Sequence, residues 1–347
     1  MKYAVTFLLF IVFGLLLKVG LFLGIPHGDL SEEVIFTIKP GANLRNISER
    51  LRNDDLISSS INFHIYAKLM GQSQKIKVGE YKLNSGMRPS KILDILTLGK
   101  SIQYQVTIPE GYNMYEVAKI FEEKGFFKSS EFLKHCRDRS WIKTLLGKGH
   151  ETLEGYLFPD TYSFSKFESI KKIINLMVNK HKSAIKGIKH PGLTSHELVT
   201  LASIIEKETG APEERPLISS VFHNRLKKSM RLQTDPTVLY GILDRTKKMK
   251  KNITKKDLQT RTRYNTYKFK GLPFGPIANP GREALQAAAR PVASRYLYFV
   301  SRNNGTHVFS ENYEAHAKAV RTFQLNRKMR QGKSWRDLNK RQKGAHL

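Results

Sequence analysis

Residues 193–214 read LTSHELVTLASIIEKETGAPEE, and their pattern decides how the rest of the chain is read. Thr194, followed three residues later by Glu197, is a capping-box start. Leu198, Leu201, Ala202 and Ile205 then recur on one helical stripe, and Gly210 and Pro212 close the helix. Glu206 lies four residues after Ala202 and eight after Leu198, so it continues the apolar stripe, with Lys207 and Glu208 turned toward solvent. A carboxylic acid flanked by Ala, Ser and Ile on an inward face is partly desolvated, which raises its pKa. The negative end of the helix dipole pushes the same way. A general acid working near neutral pH needs that property. The competing reading is a structural carboxylate bonded to a loop backbone or paired with Arg225 or Arg231, and the pattern leaves both open.

Upstream of this helix the chain repeats itself at an offset of 70 residues. VIFTIKPGANLRNISERLRNDDLISSSINF begins at Val34 and YQVTIPEGYNMYEVAKIFEEKGFFKSSEF at Tyr104. The matched pairs include Ile38/Ile108, Gly41/Gly111, Asn43/Asn113, Leu44/Met114 and Leu51/Phe121. Each copy reads as a short alternating strand, a glycine-containing turn and an amphipathic helix. Two copies are too few for a solenoid. They predict a small β–α–α binding region, or a spacer, over 27–150 (copies near 34–65 and 104–135). Downstream, 151–323 holds most of the Gly, Pro and aromatic loops, which on a helical scaffold usually carry function. The fold expected is α+β, with a basic tail over 324–347.

The amino terminus and the charge set the compartment. Residues 3–24, YAVTFLLFIVFGLLLKVGLFLG, are apolar on every face apart from Lys18. A helix of that length spans roughly 33 Å, enough for a bilayer core. No small-residue cleavage site follows, so an uncleaved anchor over 1–26 is favoured over a signal peptide. The chain has 347 residues and a formal net charge of +29. That excess points first to nucleic acid. An anchor that places everything after Pro26 outside the cytoplasm argues instead for anionic lipid and wall polymers. One cysteine excludes an internal disulfide, and Cys136 reads as a packed thiol.

Other chemistries find little support in the sequence. Eleven histidines include no HExxH, Ser203 lacks a G-x-S-x-G context, and no phosphate-binding glycine pattern occurs. No metal or cofactor site is indicated. The run RTKKMKKNITKK (245–256) has seven bases and no acid, and reads as a solvated loop or a contact for anionic lipid or polymer. Tyr240, Tyr264 and Tyr267 are candidates for stacking on sugar rings, with core packing as the alternative.

Taken together, LEGYLFPDTY, ASIIEKET, VFHNRL, RLQTDPTVLYG, YNTY, GLPFGPIANPG, ALQAAARP and YLYFVS followed by GTHVFS closely resemble one family. It is that of the endolytic murein transglycosylases, also called the YceG-like lytic transglycosylases. The resemblance covers nearly the whole chain, to about Val320, and departs from the family's pattern at Phe274, where a second proline is common. It implies a single-pass protein of the bacterial inner membrane. Its amino terminus would be cytoplasmic, followed outside by a LysM-like subdomain and a periplasmic catalytic domain. It places the family's catalytic glutamate on Glu206.

The implied reaction breaks the β-1,4 bond between N-acetylmuramic acid and N-acetylglucosamine, terminating nascent glycan strands. Glu206 protonates the glycosidic oxygen, then takes the proton of the muramic C6 hydroxyl as that hydroxyl attacks C1, leaving a 1,6-anhydro end. An intramolecular nucleophile explains why one carboxylate suffices and no cofactor is needed. Glu154, Gln233, Asp235, Tyr264 and Asn265 are the candidate substrate contacts. The partners implied are peptidoglycan strands, the membrane and peptidoglycan synthases, and no nucleic acid. The competing readings are a hydrolytic muramidase with Asp235, Glu208 or Glu214 as second carboxylate, and a wall-binding protein without activity.

Overall fold

The computed structural model describes residues 13–14, 17–29 and 32–326. The expected anchor over 1–26 falls in large part outside the described residues, and the basic tail is described only to Asn326. Residues 17–24 are helical. Among the described residues no helix is long and apolar enough to cross a membrane. The fold is α+β, with three two-stranded sheets among the described residues.

The chain divides into two compact units. The first comprises the described residues up to Val106 together with Tyr162–Ser169. Strand β1 (Val34–Ile38) pairs antiparallel with β2 (Gly79–Leu83), in a register that sets Phe36 opposite Tyr81. Helices α1 (Leu44–Asn53) and α2 (Ser60–Leu69) lie between the strands in sequence, and α3 (Pro89–Leu98) follows. The inward positions, Phe36, Leu51, Phe63, Tyr81, Ile92 and Leu96, form one apolar core that Phe22 joins. Burial of such side chains contributes about 1.5–3 kcal/mol each and is what holds so small a sheet together. The phenol of Tyr81, otherwise stranded in that core, donates to the Lys77 carbonyl at 2.7 Å.

The second unit comprises Thr107–Thr161 and the described residues from Ile170 onward. Strands β3 (Tyr104–Thr107) and β4 (Thr161–Phe164) pair where the chain passes between the units. Helix α4 (Met114–Glu123) follows β3, then α5 (Ser129–His135), α6 (Arg139–Leu146) and α7 (Ile170–Ile185). The repeat is visible as structure. The strands start at 34 and 104 and the first helices at 44 and 114. Gly41 and Gly111 both take left-handed φ, 83° and 74°. Asn43 and Asn113 both cap their helices through the side chain.

The second copy of the repeat is divided between the two units. The turn and helix of the second copy belong with the helices downstream, because backbone groups tie them there. Gly111 N–H donates to the Asn279 carbonyl at 3.0 Å, Asn279 N–H to Tyr112 at 2.9 Å, and Met114 N–H to the Glu154 carboxylate at 3.1 Å.

Helix α8 (Ser195–Glu208) forms the centre of this unit. Its capping box is present, Thr194 and Glu197 each accepting the other's backbone N–H. The single apolar stripe is corrected: every residue from Leu198 to Ile205 is buried. Helices α9 (Arg215–Lys227), α10 (Asp235–Thr246) and α12 (Arg282–Ala289) all pack on α8, so its middle turns leave no face to solvent. Short α11 (Lys255–Gln259) precedes α12, and the antiparallel pair β5 (Tyr298–Ser301) and β6 (His307–Ser310) leads to α13 (Tyr313–Val320).

Gly155 shows how tightly the loops seat on α8. Its φ is 87°, and a Cβ there would lie 2.5 Å from Pro276 Cβ and 3.0 Å from Val199 Cγ1. Gly155→Ala is therefore expected to lower stability by about 1–3 kcal/mol. The check is the denaturant midpoint, and an unchanged midpoint would contradict this packing.

Candidate active site

Glu206 occupies the last turn of α8, where the buried helix reaches the surface of its unit. Its side chain is 5% exposed. Oε1 accepts from Arg215 Nη2 at 2.9 Å and Oε2 from the Gly281 N–H at 3.0 Å. Burial pushes the carboxyl above its ordinary range. Arg215 and the Gly281 N–H pull it down, the negative charge of Glu110 pushes it up, and the net shift is upward. The arrangement raises the carboxyl's affinity for a proton and holds the group in a fixed direction.

Local sequence explains how Arg215 arrives there. Pro212 opens a single 3-10 turn over Pro212–Glu214, which reverses the chain so that α9 begins at Arg215. Glu214 is fixed by β6, accepting from His307 N–H at 2.9 Å and pairing with His307 Nδ1 at 2.6 Å. Arg215 is 8% exposed and meets two further carboxylates, Glu283 through Nη1 at 2.5 Å and Glu110 through Nη2 at 3.5 Å. The expected arginine partners are corrected accordingly. Arg225 donates to the Leu297 and Leu232 carbonyls and Arg231 to that of Tyr267, so both hold backbone and neither holds Glu206.

Of the two neighbours of Glu206 on α8, Lys207 is exposed as expected, and Glu208, half-buried, is corrected. Lys207 reaches back to the Gly111 carbonyl at 3.1 Å, clamping the repeat turn against Glu206. Glu208 does not face solvent; burial, with Asp235 adding to it, pushes its carboxyl up to about 7 against the Thr234 hydroxyl and Arg225.

The other candidates separate into two groups. Glu154, Tyr264 and Asn265 are buried. Glu154 accepts from Met114 N–H and from the Tyr240 hydroxyl at 2.7 Å. Tyr264 packs edge-on against Tyr240 and Phe274. Asn265 spends its amide on the carbonyls of Asp257, Leu258 and Thr260. Burial leaves Tyr240 and Tyr264 no open ring face for a sugar, and Tyr267, half-buried, donates its hydroxyl to Asp235 at 2.7 Å. Gln233 and Asp235, by contrast, are exposed. Gln233 takes φ 53°, an uncommon conformation for a side-chain-bearing residue. Phe274 lies under the Arg263 guanidinium at 3.3 Å, and Arg263 pairs with Glu151, so this loop is braced by a cation–π contact.

Sequence reasoning missed Glu110, Arg215, Gly281 and Glu283. One signal was present: the repeat aligns Pro40 of the first turn with Glu110 of the second. It also missed an open groove of about 460 Å³ along α4, lined by Tyr112, Tyr115, Glu116, Lys119 and Met249.

Glu154 supplies a pH test. Burial raises its carboxyl to about 8 against an ordinary 4.5. A raised folded-state pKa adds stability that is fully present below about 4.5 and is lost as pH rises toward 8, at up to ~1.4 kcal/mol per pH unit. The melting temperature of Glu154→Gln should therefore fall less between pH 5 and pH 8 than that of the unmodified protein. Equal falls would place the titration elsewhere.

Residues 36–322 match the sequence pattern of the YceG-like family. The chain is 35% identical to the endolytic murein transglycosylase of Bacillus subtilis, over 85% of this chain and 86% of that protein. It is 30% identical to the endolytic murein transglycosylase of Streptococcus pneumoniae, over 90% of this chain and 64% of that longer protein. The crystal structure of a yceG-like protein from Listeria monocytogenes is similar, with 35% identity and a TM-score of 0.55. That match covers 83% of this chain and 99% of the Listeria chain. With the match spanning the repeat, α8 and the loops around Glu206, this chain belongs to the YceG-like family.

Proposed function

We propose that this chain is an endolytic murein transglycosylase with Glu206 as its acid and base. The observation that carries the reading is a buried carboxylate with a raised pKa that one guanidinium and one backbone N–H aim together. Protonated Glu206 donates to the glycosidic oxygen between N-acetylmuramic acid and N-acetylglucosamine as an oxocarbenium-like state develops. The carboxylate left behind accepts the proton of the muramic C6 hydroxyl, which closes on C1 to give the 1,6-anhydro end. Bonds and protons balance without water or cofactor.

Gln233 and Asp235, the two exposed sequence candidates, are read as the glycan contacts, supported by their exposure. Glu154, Tyr264 and Asn265 support the loops that carry the site. The groove along α4 offers the half-buried rings of Tyr112 and Tyr115 to sugar faces in place of Tyr240 and Tyr264.

The anchor and compartment belong to the same reading. Phe13, Leu17, Leu21 and Ile25 are exposed apolar residues spaced four apart on the described part of 1–26. This stripe supports a segment whose natural surroundings are apolar. The protein is then held in the inner membrane with both units outside the cytoplasm, beside nascent strands and their synthases. The first unit, with its β–α–α–β order, serves as a LysM-like wall-facing module.

The test is Glu206→Gln assayed on purified glycan strands. Cleavage is expected to fall by roughly 10²–10⁴-fold, and mass spectrometry of the products of the unmodified protein should find anhydromuramic ends. Reducing muramic ends would replace the lytic reading by hydrolysis. Undiminished cleavage by the variant would remove Glu206 from the reaction.

A further inference from the structure

We propose that Glu110 and Glu283 are positioning residues of the reaction, which divide the charge of Arg215 so that Glu206 stays able to carry its proton. The inference rests on the reading of Glu206 as the acid and adds to it two residues outside the motif that holds Glu206.

The geometry is that of one cation among three anions. A guanidinium gripping one carboxylate through two parallel bonds locks that carboxylate in its ionised form, and an acid so held would have no proton to give. Arg215 does not grip Glu206 in this way. It offers a single bond from Nη2, and the same nitrogen leans toward Glu110 at 3.5 Å. Its other terminal nitrogen is committed to Glu283 at 2.5 Å, and Nε is buried without a partner among the described residues. Glu110 and Glu283 are about half and two-thirds exposed, whereas Glu206 and Arg215 are almost fully enclosed. The two outer carboxylates therefore meet the guanidinium where solvent still reaches them, at little desolvation cost, and they draw its charge outward.

Every element packed around Glu206 contributes a charged group to this balance. On α8 itself Lys207 is occupied by the Gly111 carbonyl, and Glu208 faces Asp235 at the start of α10. The repeat turn brings Glu110, α9 brings Arg215 and α12 brings Glu283. The direction in which Glu206 is shifted agrees: the negative charge of Glu110 opposes the pull of Arg215. Gly281 makes room for the arrangement, since a Cβ there would collide with the Glu110 carboxylate.

The experiment is the pH profile of kcat/KM for glycan cleavage by the full-length protein, compared with Glu110→Gln, Glu283→Gln and Arg215→Gln. Neutralising either outer carboxylate leaves more of the Arg215 charge to Glu206, so Glu206 loses its proton at lower pH. The alkaline limb should move down by roughly half a unit or more, with activity falling several-fold at pH 8 and little at pH 5. Arg215→Gln should move the limb the opposite way. Both carboxylates are at the surface, and melting curves confirm which variants are folded. A fixed limb in folded Glu110→Gln and Glu283→Gln overturns the proposal, as does an upward shift. Glu206→Gln separates the two readings. If it is inactive while the limbs stay fixed, Glu206 remains the acid and the outer pair has no part in it.

Discussion

A buried carboxylate that has to be compensated is the constraint around which the second unit is organised. Enclosing an ionised group without compensation costs several kcal/mol, and an unpaired buried charge shifts its pKa until it neutralises. Glu206 is compensated by two donors from different segments, Arg215 and the Gly281 N–H. Each donor needs its own support. Arg215 depends on the turn pinned by Glu214 and His307, and the loop before Gly281 depends on Asn279. Asn279 in turn bonds Tyr112 and Leu157 through its side chain. The two oxygens of one buried carboxylate thus account for contacts spread over most of the unit's length.

The two repeat copies have parted in use while keeping the same backbone. Both turns carry a left-handed glycine and an asparagine cap, so the local conformation is set by the same residue types. The difference lies in what the turn presents. Pro40 is inert in the first copy, while Glu110 in the second faces Arg215. Gly111 beside it packs close to the Glu206 side chain and has its carbonyl held by Lys207.

Much of this was legible from local pattern. The 70-residue offset, the Thr194–Glu197 cap and the inward position of Glu206 depend on spacing along one element, and spacing is what a sequence displays. The sequence did not display which segments close over that element. Periodicity placed one stripe of α8 inside, but neighbours on all sides buried it completely. Glu208, read as solvent-facing, was enclosed for the same reason. Arg225 and Arg231 were plausible partners by proximity in sequence, yet the turn at Pro212 delivered Arg215 instead. Tyr240 and Tyr264 resembled sugar platforms by type and became core by packing.

The chain crosses between its two units at 106–107, 161–162 and 169–170. No single cut can therefore free the enzyme-bearing half intact. A fragment starting at residue 151 would lack the turn that touches Glu206 and the helix whose first N–H satisfies Glu154. A protease acting near residue 150 would accordingly inactivate the protein rather than release a soluble catalyst. In the cell, that would confine cleavage to the place where the whole chain resides.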